Sequence, residues 1–182
     1  FSDLKNLIYI PYDNDIDLFD NISEDNFMSL IENLITNKNI KGIFPISKPF
    51  YYDIFALRAK GWVDYNAQKI VGKLKRNIKI FSFIWNYIFI FRNQLPPNKI
   101  KILDVKSAFG GIGIYELKHL NRSDLNYVVS KNDKDFYSEH IEFNKKFNGL
   151  RIKPEWIIKA PLQHVEYKSL TFLGKMKYVL KT

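Results

Sequence analysis

The chain has 182 residues and a formal net charge of +9, a length that suits one compact domain with a sizeable core and a balance that suits anionic partners. Hydrophobic residues make up 46% of it, which excludes a disordered chain. Cysteine is absent, which excludes a disulfide framework, a thiol nucleophile and a Cys-ligated zinc site, and fits a reducing, cytoplasmic setting.

Leu7-Ile8-Tyr9-Ile10 is a β-prone run that ends abruptly at Pro11-Tyr12, and it reads as a buried strand stopping at a polar edge. Asp13-Asn14-Asp15 follow directly. Strand carboxyl ends are where open α/β sheets bind ligands. Two carboxylates one residue apart can share a hard divalent cation there, leaving positions for phosphate oxygens. Asp15 with Asp17 is a competing pair, and a turn that merely caps the strand would use the same residues. Asp20 and Asp25 read as groups that cap and solvate the next helix. Ser23 opens that helix, with Phe27, Met28, Ile31, Leu34 and Ile35 on one face and Asn37-Lys38-Asn39 ending it.

Ile40 to Ile46 reads as the next strand, and Pro45 within it predicts an edge strand or a short one. Tyr51 to Leu57, rich in aromatic and β-branched residues, predicts a strand entering the site. Tyr51 and Tyr52 offer the flat faces and hydroxyls that sugar sites use, or belong to the core. Asp53 and Arg58 form a structural bridge or touch substrate, since Arg chelates carboxylate or phosphate bidentately. Further on, Lys69, Lys73, Lys75, Arg76 and Lys79 occur with no acid among them, followed by an apolar, aromatic run from Ile80 to Phe91. That run is shorter than the roughly 20 residues a membrane-spanning helix needs. It reads either as an interfacial membrane segment or as a core element behind a solvated basic face. Pro96-Pro97 ends it.

Phe109-Gly110-Gly111 lets the backbone approach a ligand without Cβ atoms in the way, or makes a tight turn feeding a strand from Ile112 to Tyr115. It has neither the Lys-Ser/Thr of a P-loop nor the glycine spacing of a dinucleotide fold. Glu139-His140 precede a helix with Ile141, Phe147 and Leu150 facing inward, ended by Asn148-Gly149. Trp156 to Ile158 is strand-like, and His164 follows it after Pro161-Leu162-Gln163.

Taken in order, four blocks stand behind Asp13-Asn14-Asp15. They are Tyr51-Tyr52-Asp53-Ile54-Phe55-Ala56-Leu57-Arg58, Ser107 to Tyr115, Ser138-Glu139-His140-Ile141-Glu142-Phe143-Asn144 and Gly149 to Pro154. Together they resemble the catalytic half of GT-A glycosyltransferases, from about Leu7 to Pro161. The group they look closest to carries a Tyr-Tyr-Asp-x-x-Ala-Leu-Arg block, a Phe-Gly-Gly block and a Cys-Glu-His block; here Ser138 stands in place of the Cys.

The resemblance implies an α/β fold with a GT-A-like mixed, mostly parallel sheet flanked by helices, lacking its first nucleotide-binding strands. Residues 1–182 would then be one glycosyltransferase-like domain, the carboxyl-terminal portion of a GT-A domain, with 69–92 a basic, aromatic insert. The implied activity is metal-dependent transfer of a hexosyl group from a nucleotide-sugar donor to a hydroxyl of a glycan or lipid-linked acceptor. Asp13 and Asp15 would hold Mn²⁺ or Mg²⁺ on the diphosphate, with a late His (His164 or His140) as third ligand. Glu139 matches the general base of inverting members, and Gly110 and Gly111 the acceptor side of the pocket. Tyr52, Asp53, Arg58 and Phe109 complete the substrate-binding set. The setting would be cytoplasmic, with peripheral membrane contact through 69–92. Two other classes stay open. Eleven Tyr and fifteen Phe beside the positive charge would suit a metal-dependent nucleic-acid-acting protein, although no nucleic-acid motif appears and no nucleic-acid partner is expected. A non-catalytic glycan-binding fragment is the other.

Overall fold

The computed structural model describes residues 7–16, 22–77, 89–90, 93–96, 103–118, 120 and 138–161, with the backbone alone for 73–77. Its elements are β1 (Ile8–Tyr9), α1 (Glu24–Thr36), β2 (Gly42–Lys48), β3 (Arg58–Ala59), α2 (Ala67–Asn77), β4 (Leu103–Ser107), β5 (Ile114–Glu116), α3 (Glu139–Asn144) and β6 (Leu150–Lys159). The strands form one six-stranded mixed sheet in the order β1-β5-β2-β6-β4-β3.

The fold is α/β but its sheet is mostly antiparallel, which corrects the mostly parallel sheet expected from the sequence: among the described strands only β2 and β6 pair in parallel. The cause lies in the order of the strands. β1, β2, β6 and β3 all run the same way, but β5 lies between β1 and β2, and β4 between β6 and β3, both pointing oppositely.

Pro45 falls in β2, and β2 is central, paired with β5 on one side and β6 on the other. The edge or short strand that Pro45 predicts is therefore also corrected. The register against β6 shifts between Phe44 and Ile46, from Phe44↔Ile152 to Ile46↔Ile157. A bulge interrupts the ladder there, the setting in which a sheet tolerates a residue without an N–H. Successive residues of β2 face opposite sides, and both sides are covered. Phe44 and Ile46 join a core with Tyr51, Leu57, Tyr115, Phe143 and Ile152. Ile43 joins a second core with Leu30, Leu34, Ile114, Trp156 and Ile158.

The second core lies under α1. Its N-cap is Ser23, whose hydroxyl accepts from the Asn26 N–H at 3.3 Å, and Glu24 and Asp25 occupy the first turn, where the helix dipole favours acids. Leu30 and Leu34 are buried and Phe27 packs edge-on against Trp156, while Met28 and Ile35, expected on the same face, are exposed. Gly149, at φ +78° in the link from α3 to β6, lies tight against the link from α1 to β2: a Cβ there would lie 2.0 Å from the Asn39 carbonyl oxygen. Its own carbonyl accepts from Lys41 N–H at 2.8 Å, setting the Gly42↔Leu150 register from which β2 and β6 run in parallel.

Three further expectations change. Leu7 to Ile10 forms a half-buried edge strand and not a buried one. Tyr51 to Leu57 is loop and turn, with only Arg58–Ala59 joining the sheet. Glu139 and His140 lie within the first turn of α3, which ends at Asn144, before the Asn148-Gly149 stop expected for it. Much of the basic, aromatic stretch 69–92, and Asp17, Asp20 and His164, lie outside the described residues. Phe89 and Ile90, near the end of that stretch, pack against the first core. No helix among the described residues is long and apolar enough to cross a membrane.

Candidate active site

Beyond β1 the ladder with β5 continues through the acidic turn. Gly113 N–H donates to Pro11 O (3.1 Å), Tyr12 bridges Ile112, and Asp13 N–H donates to Gly111 O (2.8 Å). These bonds hold the Asp13 backbone beside the glycine loop, although the two segments are distant in sequence. Ile16 N–H then donates to Asp13 O at 3.2 Å, closing a turn in which Asp15 is exposed.

The Tyr51-Tyr52-Asp53 block arrives from the carboxyl end of β2. The Ser47 hydroxyl donates to Phe50 O at 3.0 Å and accepts from Tyr52 N–H at 3.2 Å, turning the chain back on itself. The two tyrosines then diverge. Tyr51 is wholly buried in the first core, edge-on to Trp62, and its hydroxyl accepts from Phe109 N–H at 3.3 Å. Tyr52 packs against the second core and its hydroxyl donates to Asp13 Oδ2 at 2.7 Å. Burial raises both phenols well above their ordinary value, helped at Tyr52 by the bond to Asp13, so both stay protonated near neutral pH.

Asp53 Oδ1 accepts from Ala56 N–H at 3.2 Å. Burial pushes its carboxyl up to about 6. The Ala56 bond opposes that shift, the charges of Asp13 and Glu139 reinforce it, and Arg58 opposes it. The Arg58 guanidinium donates to the carbonyls of Phe55 (3.1 Å) and Leu57 (2.5 Å), so it braces the turn that carries Asp53 as well as lending it charge.

The glycine loop leaves β4 and crosses to β5. Gly110 and Gly111 have φ of +64° and +98°, a region glycine enters without strain. A Cβ on Gly111 would lie 1.8 Å from Ile16 Cδ1 and 2.3 Å from the Tyr52 hydroxyl oxygen. The space left by that glycine is filled by the protein's own atoms. Phe109 is buried and stacks flat on His140, with ring centroids 3.7 Å apart and planes 14° apart. Burial lowers the His140 pKa, and the charges of Glu139 and Asp13 oppose the shift. Beside it, the Glu139 side chain is 55% exposed, with Oε1 3.8 Å from His140 Nε2.

Residues from four separate sequence blocks are thus linked. Asp13, Tyr52 and Gly111 lie against one another, and Asp53 feels the charges of Asp13, Glu139 and Arg58. The glycine loop that carries Gly110 joins through the stack of Phe109 on His140, next to Glu139. Asp15 joins only as an exposed neighbour of Asp13. Among the described residues no three His, Asp or Glu side chains converge as a metal cage. The donors that are present suit a hard cation of another kind: one or two carboxylates, with the rest of the shell left to water and phosphate oxygens, as magnesium favours.

Sequence reasoning missed the residue that ties the parts together. Asn144 is fully buried at the end of α3. It accepts from the Tyr115 hydroxyl (2.8 Å) and donates to Ser107 Oγ (2.9 Å) and Ala108 O (2.8 Å), joining α3 to the start of the glycine loop and to β5. The available signal was an amide three residues past the Glu139–Ile141 helix start, on the side facing inward with Ile141. Gln94 is a second such residue: its carbonyl accepts from Tyr51 N–H (3.0 Å) and its side-chain amide donates to Tyr52 O (3.3 Å).

No protein-family model, curated protein or solved structure matches this chain.

Proposed function

We propose that this protein is a metal-dependent glycosyltransferase, moving a hexosyl group from a nucleotide-sugar donor to a hydroxyl of a glycan or lipid-linked acceptor. The observation that carries the reading is the meeting of Asp13, the Tyr52-Asp53 pair, the Phe109-Gly110-Gly111 loop and Glu139 around one polar locus. Simple turn capping explains an acidic turn, but it gives no reason for Asp53 to lie within electrostatic reach of both Asp13 and Glu139.

In this reading Asp13 and Asp15 would be the residues that hold Mn²⁺ or Mg²⁺ for the donor diphosphate. The ion would supply neutralisation of the charge that develops on the leaving group. Glu139, open to solvent, takes the proton of the acceptor hydroxyl in an inverting displacement. The acceptor oxygen then bonds to the anomeric carbon as the bond to the diphosphate breaks, and the electron pair leaves with the diphosphate. Asp53, set deeper and braced by Arg58, offers a carboxyl that hydrogen-bonds a sugar hydroxyl. The stretch 69–92 would supply peripheral contact with a membrane-held acceptor.

Calorimetric titration of UDP and GDP, with and without Mn²⁺, tests the reading. Metal-dependent binding of one nucleotide, lost in the double variant Asp13→Ala/Asp15→Ala, is expected. Binding that survives this variant would contradict it.

A further inference from the structure

Tyr52 was read from the sequence as a substrate-binding residue, but its hydroxyl is already committed. We infer that Tyr52 is a positioning residue whose phenol orients the Asp13 carboxylate for a divalent cation, and that Gly111 is glycine so that this phenol can reach it. The inference rests on the metal-dependent reading above and assigns a role within it.

Asp13 is held at two points. Its N–H donates to Gly111 O at 2.8 Å, and its Oδ2 accepts from the Tyr52 hydroxyl at 2.7 Å. An ionised carboxylate has about four lone-pair sites, so one bond from Tyr52 leaves Oδ1 and part of Oδ2 for an ion. A carboxylate free to rotate on an acidic turn would lose side-chain entropy on binding a cation; here Tyr52 has already restricted it. Ligating carboxylates are commonly hydrogen-bonded in this way, and loss of the outer partner typically weakens metal affinity by about 10- to 100-fold. The ring of Tyr52 is itself held, packed on the second core and with its backbone bonded to Ser47 Oγ and the Gln94 amide. Gly111 completes the arrangement, since a methyl there would overlap the phenol oxygen at 2.3 Å.

The test is Mn²⁺ binding to the whole chain, followed by electron paramagnetic resonance of the free ion with and without UDP. Wild type is compared with Asp13→Ala, Tyr52→Phe and Tyr65→Phe. The last removes a phenol that donates to Asn93 Oδ1 and not to Asp13, so it controls for loss of a half-buried hydroxyl as such. The expected result is loss of binding in Asp13→Ala, a rise of about 10-fold or more in the Tyr52→Phe dissociation constant, and wild-type affinity in Tyr65→Phe. Equal affinity in Tyr52→Phe and wild type, with Asp13→Ala still abolishing binding, overturns the inference and leaves the metal site standing. A 10-fold loss in Tyr65→Phe as well would reduce the effect to general loosening and also overturn it. Failure of wild type to bind Mn²⁺, or full affinity in Asp13→Ala, overturns the metal reading and this inference with it.

Discussion

Asp53 sits where an ionised group is costly. Its carboxyl is raised from 3.8 to about 6, chiefly by burial, a difference worth about 3 kcal/mol between folded and unfolded states. Below the unfolded value both states are protonated and nothing is lost. As pH rises from there through about 6 the folded state holds the proton longer, so stability falls. Above that the full cost is present. Asp53→Asn keeps an oxygen for the Ala56 N–H and removes the charge. The variant is therefore expected to be more stable than wild type by about 2 kcal/mol at about pH 7.5 and nearly equal to it at about pH 4, as read by urea unfolding at the two values. An equal difference at both would mean that the Asp53 charge is not the cause. A residue that weakens the fold at neutral pH and lies between Asp13 and Glu139 in electrostatic reach has the character of a site residue, where such costs concentrate.

α3 is six residues long, too short to be stable by its own backbone bonds. Packing of Ile141 and Phe143 and the bonds of Asn144 hold it. Asn144→Leu would leave the Tyr115 hydroxyl, Ser107 Oγ and Ala108 O without that amide, at about 1–3 kcal/mol for each buried group left unsatisfied. A loss of about 3 kcal/mol or more in chemical denaturation is expected; a loss below about 1 kcal/mol would show that α3 is held by apolar packing alone. Elements with local signals were legible in the sequence: the Ser23 cap and the spacing of Leu30 and Leu34 mark α1, and Asn37 ends it where expected. Elements decided by distant partners were not. Pro45 argued for an edge, but a bulge in the β6 pairing accommodates it at the centre. The β-prone composition of Tyr51 to Leu57 gave way to a turn because Ser47, Gln94 and Phe109 claim its backbone and hydroxyls.

For the whole molecule, the sheet order was the least legible feature. Insertion of β5 and β4 between strands that share a direction depends on connections no local pattern encodes, so a mostly parallel sheet was expected where four of five pairings are antiparallel. The candidate site was more legible, because motifs name chemistry-bearing residues wherever the chain carries them. The role of Asn144 and the Tyr52–Asp13 bond were not, since each rests on a contact across more than 25 residues. That these blocks form one nucleotide-sugar site is the central claim. Paramagnetic broadening of backbone amide signals by Mn²⁺ with UDP or GDP tests it most directly. Broadening centred on Asp13, Tyr52, Asp53, Gly110, Gly111 and Glu139, and relieved in Asp13→Ala, is predicted. Broadening spread over exposed acids such as Asp104 and Glu155, with Tyr52 and Gly111 untouched, would contradict it.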